Sequence, residues 1–271
     1  MNTERTHPFG MAISGLDLAQ ITETQIGSLI ETLAIHGVAV IKDQQISDGA
    51  FVKFLNRIGS LTFTQGEQSV EGCEALNIVT NANRKHPPRS VFHTDTSYVR
   101  LPPAFTALKM IHLPRRGGDT LFTNQYAAYE RLSSELKTDL EHAEVLHVAT
   151  GVALKPADES CHWHPLFRKH PITGLKSLFL TTPERCESIR NTTHLDGQKL
   201  IGTLYAHSIR PEYILRHRWS IGDIVIWDNR CTMHRADHSR VIGKRQLHRG
   251  LVLENQVISA QIANNLPFVG V

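Results

Sequence analysis

Apolar residues at Ile21, Ile26, Leu29, Ile30 and Leu33 keep the spacing of one helix face. Thr22 with Gln25 forms a capping-box pattern, and Gly37 stands where such a helix should stop. The next run, Val38 to Lys42, is apolar up to its last residue and reads as a buried strand. A second helix is predicted over 47–59, with Ser47 as cap and Phe51, Phe54, Leu55 and Ile58 turned inward. Further along, short β-like runs at 104–113, 177–181, 215–219, 223–228 and 245–253 are separated by Gly, Pro and Asn, with helices at 125–141 and 196–208. The pattern predicts an α+β domain rich in strands, of the barrel-like jelly-roll kind. No repeat, low-complexity tract or linker divides it, so residues 1–271 read as one domain. The polar segments 64–90 and 155–165 are expected as active-site loops, because long structureless stretches in a compact domain usually bind or cover something.

Composition narrows the setting. With 41% hydrophobic and 20% charged residues, the chain has the make-up of an ordinary soluble protein. No run approaches the ~18 apolar residues of a membrane span, and the start, MNTERTHPFGM, lacks the apolar core of a secretory signal. Cys73, Cys161, Cys186 and Cys231 show no C-x-x-C spacing and read as reduced thiols, which places the protein in the cytoplasm. The net charge of +3 is spread along the chain, so neither nucleic acid nor membrane is an expected partner, while a small anionic substrate is.

The stretch Ser90-Val91-Phe92-His93-Thr94-Asp95-Thr96-Ser97-Tyr98 puts a His and an Asp two residues apart in a strand-like run. On a strand both side chains would enter one cavity, with Thr94 turned away. Alone, so short a pair fits a satisfied core His beside a capping Asp better than a metal site. A second segment, GDIVIWDNRCTMHRADHSR, changes the balance: an apolar strand ends in Asp228-Asn229-Arg230, and His234 follows. Two His and one carboxylate match the facial triad that binds Fe(II) and leaves adjacent positions open, rather than a closed structural zinc site. In KRQLHRGLVLE, Arg245 and Arg249 fall on one strand face, about 13 Å apart at ~3.3 Å per residue, among leucines. Buried guanidinium groups need anions, so these two point to acidic ligands at two ends of a pocket.

In this order the motifs FHTDTSY, GGDTLFTN, HPLFRKHPITGLKSLFL and WDNRCTMHRA resemble the TauD/TfdA-type 2-oxoglutarate oxygenases, along nearly the whole chain. The resemblance implies a double-stranded β-helix (a cupin-like jelly roll) with flanking helices and an Fe(II)- and 2-oxoglutarate-dependent dioxygenase that uses O2. It implies His93, Asp95 and His234 as catalytic iron ligands, Thr120 and Arg245 on the distal carboxylate of 2-oxoglutarate, and Arg249 on the cosubstrate or the substrate. Oxidation of a small anionic organic compound would release succinate and CO2, with C–O, C–S or C–N cleavage when the hydroxylated carbon carries a heteroatom. Arg89, Phe92 and Tyr98 are the further candidate substrate contacts, and Phe63 a candidate for the apolar wall. His162 and His164 of CHWHP read as structural, and Asp228, Asn229 and Arg230 as residues that orient His234. Such relatives form dimers or tetramers, so a homo-oligomer is expected. Desaturation or cyclisation, a cupin-type metal hydrolase or isomerase, and a non-catalytic 2-oxoglutarate sensor are the alternatives.

Overall fold

In the computed structural model, which describes residues 2–64, 66–82, 90–152 and 154–265, two of the four sheets formed by these residues lie face to face around the predicted site. The chain begins with β1 (Asn2–Arg5), β2 (Met11–Ser14), α1 (Glu23–His36), β3 (Val38–Ile41), α2 (Asp48–Ile58), β4 (Leu61–Thr62), β5 (Ser69–Val70) and β6 (Cys73–Thr80). Next come β7 (Phe105–His112), β8 (Thr120–Asn124), α3 (Gln125–Glu130), α4 (Ser134–Asp139), β9 (Glu144–Val148), β10 (Cys161–Pro165), β11 (Phe167–Lys169) and β12 (Lys176–Leu178). The last part holds β13 (Cys186–Arg190), α5 (Gly197–Ser208), β14 (Ile214–His217), β15 (Ile224–Asp228), β16 (Thr232–Ala236), β17 (Gln246–Val252) and α6 (Gln256–Asn265).

The large sheet runs β1-β2-β3-β15-β7-β17-β6-β5, with β4 on β17, and the small sheet facing it runs β14-β8-β16; β10-β9-β13 and β11-β12 form two further small sheets. Strand β15 is buried throughout because β3 and β7 flank it on both edges and side chains cover both faces. Between the sheets, Val40, Leu108, Val225, Trp227 and Leu247 from the large sheet meet Phe122 and Leu215 from the small one. The opposite face of the large sheet is covered by α1 and α2 through Leu29, Leu33, Phe51, Phe54 and Leu55. Both helices start and stop where the residues indicate. Thr22 and Gln25 complete the capping box, Ser47 caps α2, and Gly37 closes α1 at φ 74°. This two-sheet architecture is the expected jelly roll, an α+β fold.

Three sequence expectations change. The predicted 125–141 helix is two helices: the Arg131 N–H bonds back to Ala127, and Ser133 then caps a new start at α4. The 64–90 stretch is not one loop. Its β6 pairs with β17 in the register Leu247↔Val79 and Arg249↔Asn77, so it forms part of the cavity wall. Cys161–Pro165, the second half of the other expected loop, is β10, paired with β9 through His162↔His147. In both segments a short apolar alternation sits between polar flanks, and only its cross-strand partner makes it a strand.

Candidate active site

His93 is not in a strand, as the spacing had suggested, but in a single bridge. Its N–H donates to the His234 carbonyl at 3.0 Å, and the His234 N–H returns the bond at 2.9 Å. That reciprocal pair docks the segment before Asp95 onto β16 and holds the two imidazoles 4.4 Å apart. Asp95 opens the turn that follows, in which Thr96 takes φ 46°. Thr94 turns away, as expected, and donates to the Leu180 carbonyl at 2.8 Å.

The ligand atoms of His93, Asp95 and His234 all lie within 4.8 Å of one another. Asp95 Oδ1 is 3.6 Å from His93 Nε2, and Oδ2 is 3.8 Å from His234 Nε2. Those gaps are too long for hydrogen bonds, yet they are close to the ~3 Å that separates adjacent ligands each ~2.1 Å from one ion. The donor set fits a ferrous ion with open positions. His93 Nδ1 donates to the Val91 carbonyl at 2.9 Å, which leaves its Nε2 lone pair pointing at the centre. Burial pushes the His234 imidazole down to about 3, so it is a neutral donor. For Asp95, burial opposes ionisation, but His234, His93 and Arg249 outweigh it and hold the carboxyl well below its usual range.

A relay from the large sheet fixes the carboxylate. Thr106 Oγ1 donates to Asp95 Oδ2 at 2.8 Å, Asn229 Nδ2 donates to Thr106 Oγ1 at 2.8 Å, and Trp227 Nε1 donates to Asn229 Oδ1 at 2.9 Å. Asn229 therefore orients Asp95 rather than His234. Asp228 and Arg230 instead form a separate buried cluster with His170 and Glu254. Thr106 lies in PPAFTALKM, a segment that follows the first metal motif, but the sequence assigned it no role.

At the other end, Arg245 is 2% exposed, and its Nε donates to the Gly118 carbonyl at 2.8 Å. A Cβ at Gly118 would approach the Arg245 side chain to 2.8 Å, which is why this position of GGDT needs glycine. Burial pushes the Arg245 guanidinium down to about 10, with Asp119 opposing; a carboxylate ligand would reverse that shift. Thr120 Oγ1 accepts from Arg245 Nη2 at 3.2 Å and from Trp219 Nε1 at 3.0 Å. With both acceptor sites used, its own proton is left for a further acceptor. Thr120, Arg245 and the two metal histidines line one cavity of about 350 Å³.

Arg249 lines the same cavity but already contacts protein acids: Glu67 Oε2 at 3.0 Å, Asp95 Oδ1 at 3.7 Å, and the Thr64 hydroxyl at 3.2 Å. The sequence suggested neither acid. Phe92 is not a cavity wall. Its ring packs among Leu121, Leu166 and Met233 in the core, with the Arg235 guanidinium over it, because the bridge at His93 turns its predecessor to the other side. Tyr98 and Phe63 line a neighbouring pocket of about 240 Å³ with Leu101 and Leu154. Arg89 lies outside the described residues. His164 is structural, donating from Nε2 to the Val99 carbonyl at 3.1 Å, and His162 packs against it. Thr182 and Arg185, which no motif marked, complete the cavity wall.

Comparison with known proteins agrees with this geometry. The taurine catabolism dioxygenase TauD, TfdA family matches residues 2–251. An alpha-ketoglutarate-dependent 2,4-dichlorophenoxyacetate dioxygenase of Cupriavidus pinatubonensis is 28% identical, over 93% of this chain and 97% of that protein. An alpha-ketoglutarate-dependent sulfate ester dioxygenase of Pseudomonas putida is 32% identical, over 84% of this chain and 80% of that protein. The crystal structure of a taurine dioxygenase from Burkholderia xenovorans has a TM-score of 0.82 and 27% identity, covering 94% of this chain and 91% of that one.

Proposed function

The chain belongs to the taurine catabolism dioxygenase TauD, TfdA family, and on that premise we propose that it oxidises a small anionic organic substrate at the expense of 2-oxoglutarate and O2. It is an Fe(II)- and 2-oxoglutarate-dependent dioxygenase. The substrate class rests on the relatives that act on phenoxyacetates and sulfate esters. The observation that carries the reading is the convergence of three ligand atoms within 4.8 Å, with both histidines lining the cavity that also contains the buried Arg245–Thr120 pair.

His93, Asp95 and His234 would hold Fe(II), which with 2-oxoglutarate and O2 supplies the oxidising chemistry and releases succinate and CO2. The protein's part is placement. Arg245 and the Thr120 hydroxyl hold the distal carboxylate, which aims the other end of the dicarboxylate at the metal edge. The Thr106 relay keeps the Asp95 oxygens facing inward, and the Leu108 and Trp227 walls exclude water. Arg249 borders the substrate end between Asp95 and Glu67, and Tyr98 and Arg89 are proposed as further substrate contacts. Where the hydroxylated carbon carries O, S or N, the product collapses with cleavage of that bond.

The same reading takes residues 1–271 as one catalytic domain that works in the cytoplasm as a homo-oligomer, a dimer or tetramer, without a nucleic-acid or membrane partner. The family match over 2–251 supports the single domain, and size-exclusion chromatography with light scattering tests the assembly. Among the described residues no helix is long and apolar enough to cross a membrane.

Anaerobic titration of the Fe(II) protein with 2-oxoglutarate tests the chemistry through the visible metal-to-ligand absorption band. Wild type develops the band, and Arg245→Gln needs about 10- to 100-fold more 2-oxoglutarate, the loss of a charged hydrogen-bonding partner. A wild-type protein that shows no band, or consumes no O2 with succinate release in the presence of any small acid, overturns the assignment.

A further inference from the structure

The distal end of the cavity involves a residue to which the sequence assigned no role, Trp219, in the turn after β14. It reaches the site through Thr120. That threonine sits in the middle of the small sheet, where β8 pairs with β14 in the register His217↔Thr120 and with β16 in the register Ala236↔Thr120. Its backbone is therefore fixed, and a β-branched side chain has little freedom at χ1. What remains to be set is the torsion of the hydroxyl. Arg245 Nη2 donates to Thr120 Oγ1 at 3.2 Å and Trp219 Nε1 donates to it at 3.0 Å, and all three side chains are buried. A hydroxyl oxygen whose two lone pairs are both occupied can only donate to a third partner. Accepting two bonds also polarises the O–H and strengthens the bond it gives.

The indole is itself held from behind. Its ring packs in the core between the two sheets, and the His217 imidazole meets it edge-on with ring centroids 4.6 Å apart. His217 Nε2 lies 3.1 Å from Asp223 Oδ2, and the buried Asp223 carboxylate also receives the Ser220 N–H at 2.9 Å and Lys42 Nζ at 3.1 Å. The residue after the indole is thus pinned to the residue before β15. A buried indole N–H needs an acceptor, and a backbone carbonyl would satisfy it; here the acceptor is the one hydroxyl at the cosubstrate end. We propose that Trp219 is a positioning residue for the cosubstrate: with Arg245 it fills both acceptor sites of Thr120 and so turns the Thr120 proton onto the distal carboxylate of 2-oxoglutarate. The inference rests on the dioxygenase reading and adds to it the group that orients the threonine. Thr120, not the indole, lines the cavity, so Trp219 acts only through that hydroxyl. The site then requires an acceptor at this end, which a carboxylate is and an ammonium group is not.

A double-mutant cycle tests this, with 2-oxoglutarate dissociation constants taken from anaerobic titration of the Fe(II) absorption band. Trp219→Phe keeps an aromatic ring and removes the N–H, and is expected to weaken 2-oxoglutarate about 3- to 10-fold. Thr120→Val removes a bond to a charged group and is expected to weaken it about 10- to 100-fold. Adding Trp219→Phe to Thr120→Val is expected to change binding by no more than about two-fold, because the indole then has no hydroxyl to orient. A packing role would instead weaken binding equally in both backgrounds. A second measurement needs no change at Trp219: the indole N–H resonance of that residue, assigned by backbone connectivity, in the NMR spectrum of the zinc-substituted protein. It is expected to move downfield when 2-oxoglutarate is added, since a hydroxyl that donates to a carboxylate accepts more strongly, and to stay unmoved in Thr120→Val. The inference is overturned if Trp219→Phe binds 2-oxoglutarate as wild type does, if the two losses add, or if the wild-type resonance does not respond. Where Trp219→Phe fails to fold, the resonance decides. A wild type that forms no absorption band refutes the dioxygenase reading instead.

Discussion

Two acid clusters draw on the segment that links β15 to β16, one through His234 and the other through Asp228 and Arg230, and their residue types are nearly the same. One surrounds Asp95 with His93, His234 and Arg249; the other surrounds Asp228 with His170, Arg230 and Glu254. They differ in spacing. Around Asp228 every contact is closed: Arg230 Nη2 to Oδ2 at 2.6 Å, Arg230 Nε to Oδ1 at 2.9 Å, and His170 Nε2 to Oδ2 at 3.0 Å. His170 Nδ1 accepts from the Ile172 N–H at 3.2 Å, so the ring is held as one neutral tautomer. Around Asp95 the histidine and arginine contacts are 3.6 to 3.8 Å, and only Thr106 comes within hydrogen-bonding distance. The closed cluster satisfies itself and ties the turn after β15 to Glu254 after β17. The open one keeps its donors apart around a common point and so can accept an ion. Residue type does not separate structure from function here; tenths of an ångström in backbone placement do.

Removing each carboxylate should therefore have opposite consequences. Asp95→Asn is expected to abolish coupled turnover, with succinate formation at background, yet leave the metal-free protein about as stable as wild type in thermal unfolding. Asp228→Ala should leave Arg230 buried without its main counter-charge and cost about 3–5 kcal/mol of stability, while the folded fraction still forms the 2-oxoglutarate band. Equal loss of stability in the two variants would remove the distinction.

A smaller change probes the open cluster through its support. Thr106→Val keeps the shape of a β7 residue but removes the proton given to Asp95 and the acceptor used by Asn229. Loss of such a supporting bond is expected to weaken iron binding about 10- to 100-fold, measured by competition with a chelator, with the fold retained.

A last test uses acid rather than substitution. Burial, with His164 and Arg168 adding to it, pushes His147 down to about 3; burial also pushes His164 down to about 4. Both are neutral in the folded protein, while the unfolded chain takes up protons below its histidine pKa of ~6.5. Their stabilising contribution is therefore complete above that pH and is lost as pH falls towards 4, by up to about 1.4 kcal/mol per pH unit for each group. Asp228, held below the usual carboxylate range by Arg230 and His170 against the cost of burial, adds its own loss only below ~4. Melting temperature against pH should thus decline in two stages, and His147→Phe should flatten the first. A single decline beginning near 4 would contradict the histidine assignment.

Much of this was legible in the residues. The ends of α1 and α2 follow from Thr22, Gln25, Gly37 and Ser47, because capping is settled within a few residues of chain. That His93, Asp95 and His234 would come together, and Arg245 with Thr120, was recoverable from motif order, since each motif lies within one short segment. Strand β6, the break between α3 and α4, and the core placement of Phe92 were not, because each depends on a neighbour distant in sequence. By itself the sequence determined which groups could hold a metal and a dicarboxylic acid, since chemistry belongs to residue type and local spacing. Only the tertiary structure decided which carboxylate stands open and which is closed, that Arg249 meets Glu67, and that Thr182 and Arg185 share a wall with the metal edge. Those distances are set by strand pairing between remote segments, and nothing in either segment alone encodes them.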